Sequence, residues 1–101
     1  MERKEWKTGR AWREVDLNAL NHNARLLQDR MGENCRLMAV VKADAYGHGA
    51  VPVAKTLVEQ GVNAFAVACP AEGIVLRRAG IGGEILVLGC TPPEEAEVLA
   101  R

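Results

Sequence analysis

The chain has 101 residues, enough for one small domain and too few for two. Hydrophobic residues make up 49% of it, which favours a packed core over a disordered chain. The 13 basic residues balance the 13 acidic residues, whereas a general binder of nucleic acid or of acidic membranes would carry a basic excess.

The sequence carries no sign of secretion or of a membrane span. Its apolar runs are far shorter than the roughly 20 residues that cross a bilayer. The charged start, MERKEWKTGR, has no apolar segment behind it, unlike a secretory signal. The three cysteines, Cys35, Cys69 and Cys90, are odd in number and widely spaced. We therefore expect reduced thiols in a cytoplasmic protein, with no disulfide and no metal site.

The N-terminal third predicts a polar head, a short strand and a helix. Residues 1–10 form the polar head, and the alternation of apolar and polar residues from Trp12 to Asp16 is typical of a half-buried strand. Asp16 suits the N-cap of a helix that Gly32 ends. The apolar positions of this helix share one face: Leu17, Leu20, Ala24, Leu27 and Met31.

The rest of the chain alternates apolar strands with helices. Strands are predicted at 36–42, 64–68 and 84–88, because these segments are short and apolar. Helices are predicted at VPVAKTLVEQ, PAEGIVLRRAG and TPPEEAEVLAR, each with a proline near its start, where the missing N–H has no helical partner. The segment GIGGE, residues 80–84, is interpreted as a helix-to-strand turn.

This order of elements indicates an α/β fold. Strands that are apolar on both faces need helices on both sides, as in a doubly wound open sheet, or a closed (β/α)8 barrel with its helices outside. A complete barrel of this kind takes roughly 250 residues, and three or four units would leave strand edges unpaired. We therefore expect the front part of a larger protein, which the end of the chain inside a helix-like segment, EEAEVLAR, also suggests.

The segment LMAVVKADAYGHGA, residues 37–50, carries the strongest functional signal. Lys42 directly follows an apolar strand, at the carboxyl end where α/β folds place their sites. Desolvation there disfavours the ammonium form, and a free amine suits a Schiff base with a carbonyl compound or with pyridoxal phosphate. Against this, most lysines at strand ends extend to solvent and have no further role.

The residues after Lys42 favour the functional interpretation. Tyr46 is within reach of the same strand end, and its hydroxyl can donate to a phosphate, although an amphipathic cover of the core explains it equally well. Gly47 and Gly49 permit a tight turn, and the start of the following helix favours an anion. His48 in such a turn is more often a structural hydrogen-bonding residue than a catalyst. The sequence has no Walker-type or G-x-G-x-x-G loop.

These residues resemble a known family. AVVKADAYGHG, residues 39–49, is similar to the pyridoxal-phosphate attachment motif of bacterial alanine racemases, which is long and specific. AWREVDLNALNHN resembles the opening segment of that family, and AFAVACPAEGIVLRRAGIGGEILVLG resembles its next strand–helix–strand unit. The serine/alanine racemase domains of vancomycin-resistance proteins look similar too. The resemblance implies the N-terminal portion of a pyridoxal-phosphate-binding (β/α)8 barrel, truncated, over residues 11–101.

The resemblance also implies an activity and roles for three residues. The family interconverts L-alanine and D-alanine for cell-wall peptidoglycan, as a cytoplasmic homodimer with a β-rich second domain. Lys42 would form the internal aldimine with pyridoxal 5'-phosphate and act as one of two racemisation bases, the one serving the D-enantiomer. Tyr46 would hydrogen-bond the cofactor phosphate, and Leu88 would be an apolar wall against the cofactor.

The chain departs from the family pattern in what it lacks. The second base of the family is a tyrosine of the β-rich domain, supplied by the partner subunit, whereas the single tyrosine here is Tyr46. We therefore expect the 101-residue chain alone to show no appreciable racemase activity. Three other interpretations stay open: a serine/alanine racemase domain of a resistance protein, acting on alanine or serine; a non-catalytic pyridoxal-phosphate carrier; and an inactive truncated gene product. The run AYGHG disfavours the carrier, because it belongs to the racemase signature.

Overall fold

The structure, a computed structural model, describes residues 14–99 apart from the side chain of Val98. Its elements in chain order are α1 Leu17–Arg30, β1 Ala39–Val40, α2 Lys42–Tyr46, α3 Ala50–Glu59, β2 Ala64–Val67, α4 Pro70–Arg78, β3 Glu84–Val87, a 3₁₀ turn Pro93–Glu95 and α5 Ala96–Leu99. The predicted polar head, residues 1–10, and the start of the strand predicted from Trp12 lie outside the described residues. In the described remainder of that strand, Val15 forms an isolated bridge instead of a continuous strand.

The start of α1 is fixed by the predicted cap. The Asp16 side chain accepts hydrogen bonds from the backbone N–H groups of Asn18 (3.0 Å) and Ala19 (3.1 Å), which satisfies two of the donors that a helix start leaves unpaired. The helix ends at Arg30, slightly before the predicted Gly32, because Met31 already has an extended backbone conformation.

The apolar face of α1 is narrower than its sequence pattern predicts. Of the five apolar positions predicted to share one face, Ala24 is buried, whereas Leu27 is 53% exposed. At this level the contact with α3 is made by Gln28, whose side-chain amide donates to the carbonyl oxygen of Gln60 (3.1 Å). Successive residues of a helix point about 100° apart, so Leu27 lies to one side of that contact.

The three strands form a parallel sheet in the order β1-β2-β3. The prediction of parallel βα units is confirmed, but each strand is shorter than its predicted segment. The difference is largest for β1, which has two paired residues, Ala39 opposite Phe65 and Val40 opposite Ala66. β1 lies at the edge of the sheet, so its length is set by a single neighbour, and β2 itself begins at Ala64.

One face of the sheet packs against helices. Val53 and Leu57 of α3 and Leu76 of α4 belong to the same buried cluster as Phe65 of β2, which is fully buried. The strand residues of this covered face are Ala39, Val41, Phe65, Val67, Ile85 and Val87. Because α3 and α4 lie on the same side, the arrangement matches one wall of a barrel with helices outside, and not a doubly wound sheet.

The opposite face of the sheet is open within residues 14–99. Its apolar side chains are substantially exposed: Met38 at 39%, Val40 at 42%, Leu86 at 48% and Leu88 at 51%. Sequence analysis predicted that strands apolar on both faces would be covered on both sides. In the described residues that is true of β2 alone, whose four residues are all buried.

The turn predicted at 80–84 is confirmed, and it connects α4 to β3. Gly83 has a φ of +79°, and a Cβ atom at this position would overlap the carbonyl oxygen of Asn63. The Arg77 guanidinium closes the turn by donating to the carbonyl oxygens of Ile81 (2.9 Å) and Gly83 (2.8 Å). This turn sets the direction in which β3 runs towards the candidate site.

Candidate active site

The carboxyl edge of the sheet gathers the residues that the sequence singled out. Lys42 follows β1, and Leu88 follows β3 on the far side of β2. Neighbouring strands lie about 4.8 Å apart, so the ends of β1 and β3, on either side of β2, are separated by about 10 Å. Near this edge the N–H of Val41 donates to the carbonyl oxygen of Ala66 (2.9 Å), and the N–H of Leu88 donates to the carbonyl oxygen of Val67 (2.8 Å).

The chain leaves β1 through a left-handed turn. Ala43, Asp44, Ala45 and Tyr46 have φ values of 52°, 55°, 56° and 56°, all in the left-handed helical region. For residues other than glycine this conformation is unfavourable by about 1–2 kcal/mol per residue. Four such residues in a row persist only where the surroundings hold them, and strained backbone of this kind is concentrated at functional sites. Sequence analysis predicted a tight glycine turn here, and it missed the left-handed run before the glycines.

Asp44 holds the left-handed turn on the side of α3. The Asp44 carboxylate accepts a hydrogen bond from the backbone N–H of Ala50 (2.7 Å), and its carbonyl oxygen accepts one from Gly49 (2.8 Å). The methyl group of Ala45 is buried in the core. The His48 Nδ1 atom lies 3.0 Å from the carbonyl oxygen of Ala45, which agrees with the structural role predicted for that residue.

Glu72, near the start of α4, holds the left-handed turn on the side of β2. Its Oε2 atom accepts a hydrogen bond from the backbone N–H of Ala43 (2.8 Å), and its Oε1 atom accepts one from Ala68 (2.7 Å). One carboxylate therefore joins the ends of β1 and β2. Sequence analysis missed this residue, because the partner Ala43 lies 29 positions away and no local pattern marks the contact.

Lys42 itself is half-buried and unengaged. Within residues 14–99 its side chain makes no hydrogen bond and no ion pair. Tyr46, at the other end of the same turn, is 61% exposed and its hydroxyl likewise has no partner among the described residues. The structure thus brings Lys42 and Tyr46 onto one turn, with Leu88 at the same edge two strands away.

The start of α3 is less available to an anion than the sequence suggested. The N–H of Ala50, its first residue, already donates to the Asp44 carboxylate. A carboxylate at this position provides the negative charge that the helix dipole favours and would repel a phosphate. An anion bound at this edge would therefore need other hydrogen-bond donors. The Tyr46 hydroxyl is one donor that has no partner among the described residues.

No second chemical centre is present in the part of the chain that the structure describes. Cys35, Cys69 and Cys90 are free and exposed. Residues 14–99 hold no cluster of histidine, cysteine and acidic residues that suits a metal ion. The same residues contain no helix with the length and hydropathy of a membrane span.

Comparison with known proteins identifies the family. A family model described as "Alanine racemase, N-terminal domain" matches residues 15–101. The chain belongs to the alanine racemase family. The matched range includes the whole left-handed turn and the carboxyl edge, so the resemblance found in the segment 39–49 extends over the described fold.

Individual relatives agree with this family. The alanine racemase of Nostoc sp. (strain PCC 7120) is 50% identical over 97 residues, covering 95% of this chain and 25% of the relative. An "Amino-acid racemase" of Enterococcus faecalis is 50% identical over 94 residues, covering 93% of this chain and 13% of the relative. The crystal structure of alanine racemase from Bacillus anthracis with bound L-Ala-P superposes with a TM-score of 0.79 at 45% identity, covering 84% of this chain and 23% of that one.

These likenesses confirm the predicted fold class, the N-terminal portion of a (β/α)8 barrel of the alanine racemase type. The chain spans about a quarter of the length of the alanine racemases that it matches.

Proposed function

We propose that this chain is the cofactor-attachment portion of a pyridoxal-phosphate-dependent alanine racemase. The observation that carries the proposal is Lys42, a half-buried amine without a partner in the described residues, at the carboxyl edge of a parallel sheet. It stands in the segment that resembles the family's attachment motif, within the range that the family model matches. The enzyme would interconvert L-alanine and D-alanine for cell-wall peptidoglycan, in the cytoplasm and as a homodimer.

The residues at the edge fit the cofactor. Lys42 would hold it covalently through Nζ, which no other side chain of residues 14–99 engages. Tyr46 would donate its free hydroxyl to the phosphate, and Leu88, whose side chain is about half exposed (51%), would contact the ring as an apolar wall. Because the Asp44 carboxylate is bonded to the start of α3, the phosphate would be held on the Tyr46 side of the turn.

The chemistry follows from the position of Lys42. Pyridoxal phosphate, when bound, supplies an electron sink that makes the Cα–H of an amino acid acidic enough to be removed. Racemisation needs a base on each face of the substrate, so that a proton leaves one face and returns on the other. Lys42 would move the proton at Nζ on its own face. Tyr46 is the single tyrosine of the chain and is assigned to the phosphate, so the opposite base would come from another domain, as the resemblance implies.

The test is cofactor trapping. The chain is mixed with pyridoxal phosphate, reduced with borohydride and mapped by mass spectrometry. We expect a label on Lys42 in the wild-type chain and in a Lys55→Ala variant, and no label at position 42 in Lys42→Ala. Lys55 is an exposed lysine of α3 and so reports the reactivity of an ordinary amine. Equal labelling of Lys42 and Lys55 would contradict the proposal.

A second candidate is a racemase domain of a larger protein with a different amino-acid preference. It is favoured by the Enterococcus faecalis relative, named simply an amino-acid racemase, of which this chain covers 13%. Reading the gene on both sides of this sequence decides between the two: a multi-spanning membrane segment upstream indicates the resistance-type protein. Racemisation rates of the complete product with alanine and with serine then give the preference.

A further inference from the structure

We propose that Glu72 is a positioning residue for Lys42: its carboxylate clamps the peptide group that directly follows the lysine and so sets where the amine points. The inference rests on the proposed function of Lys42 and adds to it a residue on a different βα unit. Neither the attachment motif nor the roles carried over from the resemblance include Glu72.

The clamp acts on one particular peptide plane. The hydrogen bond from Ala43 N–H to Glu72 Oε2 (2.8 Å) holds the Lys42–Ala43 peptide. The orientation of that plane relative to β1 is set by the φ and ψ angles of Lys42, and the plane leads into Ala43, the first left-handed residue of the turn. Because the φ angle of Lys42 also sets the direction of its Cα–Cβ bond, holding the plane restricts that direction and therefore the volume that Nζ can reach.

The second bond anchors the clamp to the neighbouring strand. Glu72 Oε1 accepts from Ala68 N–H (2.7 Å), directly after β2. The carbonyl oxygen of Ala68 accepts in turn from the N–H of Gly89 (3.2 Å), two residues after the end of β3. The three strand ends are thus joined through Ala68 and one carboxylate. Lys42 would consequently be held relative to the same edge that carries Leu88.

Capping of α4 alone does not explain both hydrogen bonds of the Glu72 carboxylate. Glu72 is the third residue of α4, where a glutamate commonly accepts a hydrogen bond from a backbone N–H at the start of its own helix. The bond to Ala68 is close to that pattern. The bond to Ala43 is different, because it reaches a loop 29 residues earlier in the chain and adds nothing to the capping of α4. Both oxygens are occupied by backbone amides, and no ion pair joins Glu72 to Lys42 in the described residues.

The substitutions separate the clamp from general stability. Glu72→Gln keeps the length of the side chain but presents an NH₂ group to one of the two N–H donors, and Glu72→Asp is too short to bridge both. Glu59→Gln is the control for charge, because Glu59 is exposed at the end of α3 and makes no hydrogen bond in the described residues. Gln28→Ala is the control for stability, because it removes one hydrogen bond, to the Gln60 carbonyl, away from the edge.

Two readouts are measured on the whole chain: amide hydrogen exchange at Ala43 and Ala68, and the ratio of borohydride-trapped cofactor on Lys42 to that on Lys55. We expect both Glu72 variants to lose protection at Ala43 and to lower the ratio about tenfold, the effect of losing one hydrogen bond to a charged acceptor. Both controls should leave the ratio unchanged. For Gln28→Ala this should hold even where it lowers stability in urea as much as the Glu72 variants do.

The possible results distinguish the positioning role of Glu72 from the proposed function. A normal ratio in both Glu72 variants, or a ratio that falls equally in Gln28→Ala, overturns the positioning role while the proposed function stands. Absence of selective Lys42 labelling in the wild-type chain overturns the proposed function, and the positioning role falls with it. A lower ratio confined to the Glu72 variants, together with faster exchange at Ala43, supports the clamp.

Discussion

Because Ala43 lies in the left-handed turn, we predict that the substitution Ala43→Gly stabilises the chain. Ala43 has a φ of 52° and an exposed side chain. Relieving the left-handed conformation gains about 1–2 kcal/mol. The greater freedom of glycine in the unfolded chain offsets about 0.4–1 kcal/mol of this gain. The expected net effect of Ala43→Gly is therefore about 0.5–1 kcal/mol of added stability.

The neighbouring residues supply matched controls. Ala45 has a φ of 56° but is 6% exposed, so Ala45→Gly also removes a buried methyl group worth about 0.8 kcal/mol and should be close to neutral. Ala19 is an exposed residue of the right-handed helix α1, where the same change is expected to lower stability by about 0.5–1 kcal/mol.

The assay is urea unfolding followed by far-ultraviolet circular dichroism on the three variants and the wild-type chain. The sign of the effect decides the matter, because Ala43→Gly and Ala19→Gly are expected to move the midpoint in opposite directions. If Ala43→Gly lowers the midpoint as Ala19→Gly does, the left-handed conformation of this turn, and the reasoning built on it, is refuted.

Three further predictions concern packing and activity. Gly83→Ala should destabilise the chain by about 1–3 kcal/mol, because the new methyl group overlaps the Asn63 carbonyl at a positive φ, whereas Gly82→Ala, with open space around it, should have little effect in the same urea titration. Phe65→Ala should cost about 3–5 kcal/mol, because the ring is fully buried, and loss of the cooperative unfolding transition checks it. The chain alone should show no racemisation of L-alanine in an assay for D-alanine, since Tyr46 is its one tyrosine; measurable turnover contradicts this assignment of the second base.

Local signals in the sequence predicted most of the elements correctly. Asp16 marks the start of α1 with its side-chain oxygen, and Pro70 stands at the first turn of α4, as the structure shows. The apolar segments around Ala39, Phe65 and Ile85 became strands of one parallel sheet. These features depend on side-chain chemistry within a few residues, and short-range patterns are sufficient to predict them.

Features that depend on distant parts of the chain were missed. The residue types from Ala43 to Tyr46 do not distinguish a left-handed turn from a right-handed one. The conformation depends on contacts of the turn with Glu72 and with the core. The exposure of Leu27 depends on where α3 ends relative to α1, which helical periodicity does not report. Lys42 lies beyond the carboxyl end of β1, where the sequence placed it, because the end of a short apolar segment is itself a local signal.

The open face of the sheet affects how the chain behaves in solution. Met38, Val40, Leu86 and Leu88 are partly exposed apolar side chains on this face, and exposed apolar surface of this kind favours association between molecules. Excluded salts such as sulfate strengthen apolar burial. The chain should therefore bind hydrophobic resins and form larger species as ammonium sulfate is raised, and a Val40→Thr, Leu86→Thr double substitution should lower the sedimentation coefficient under the same salt.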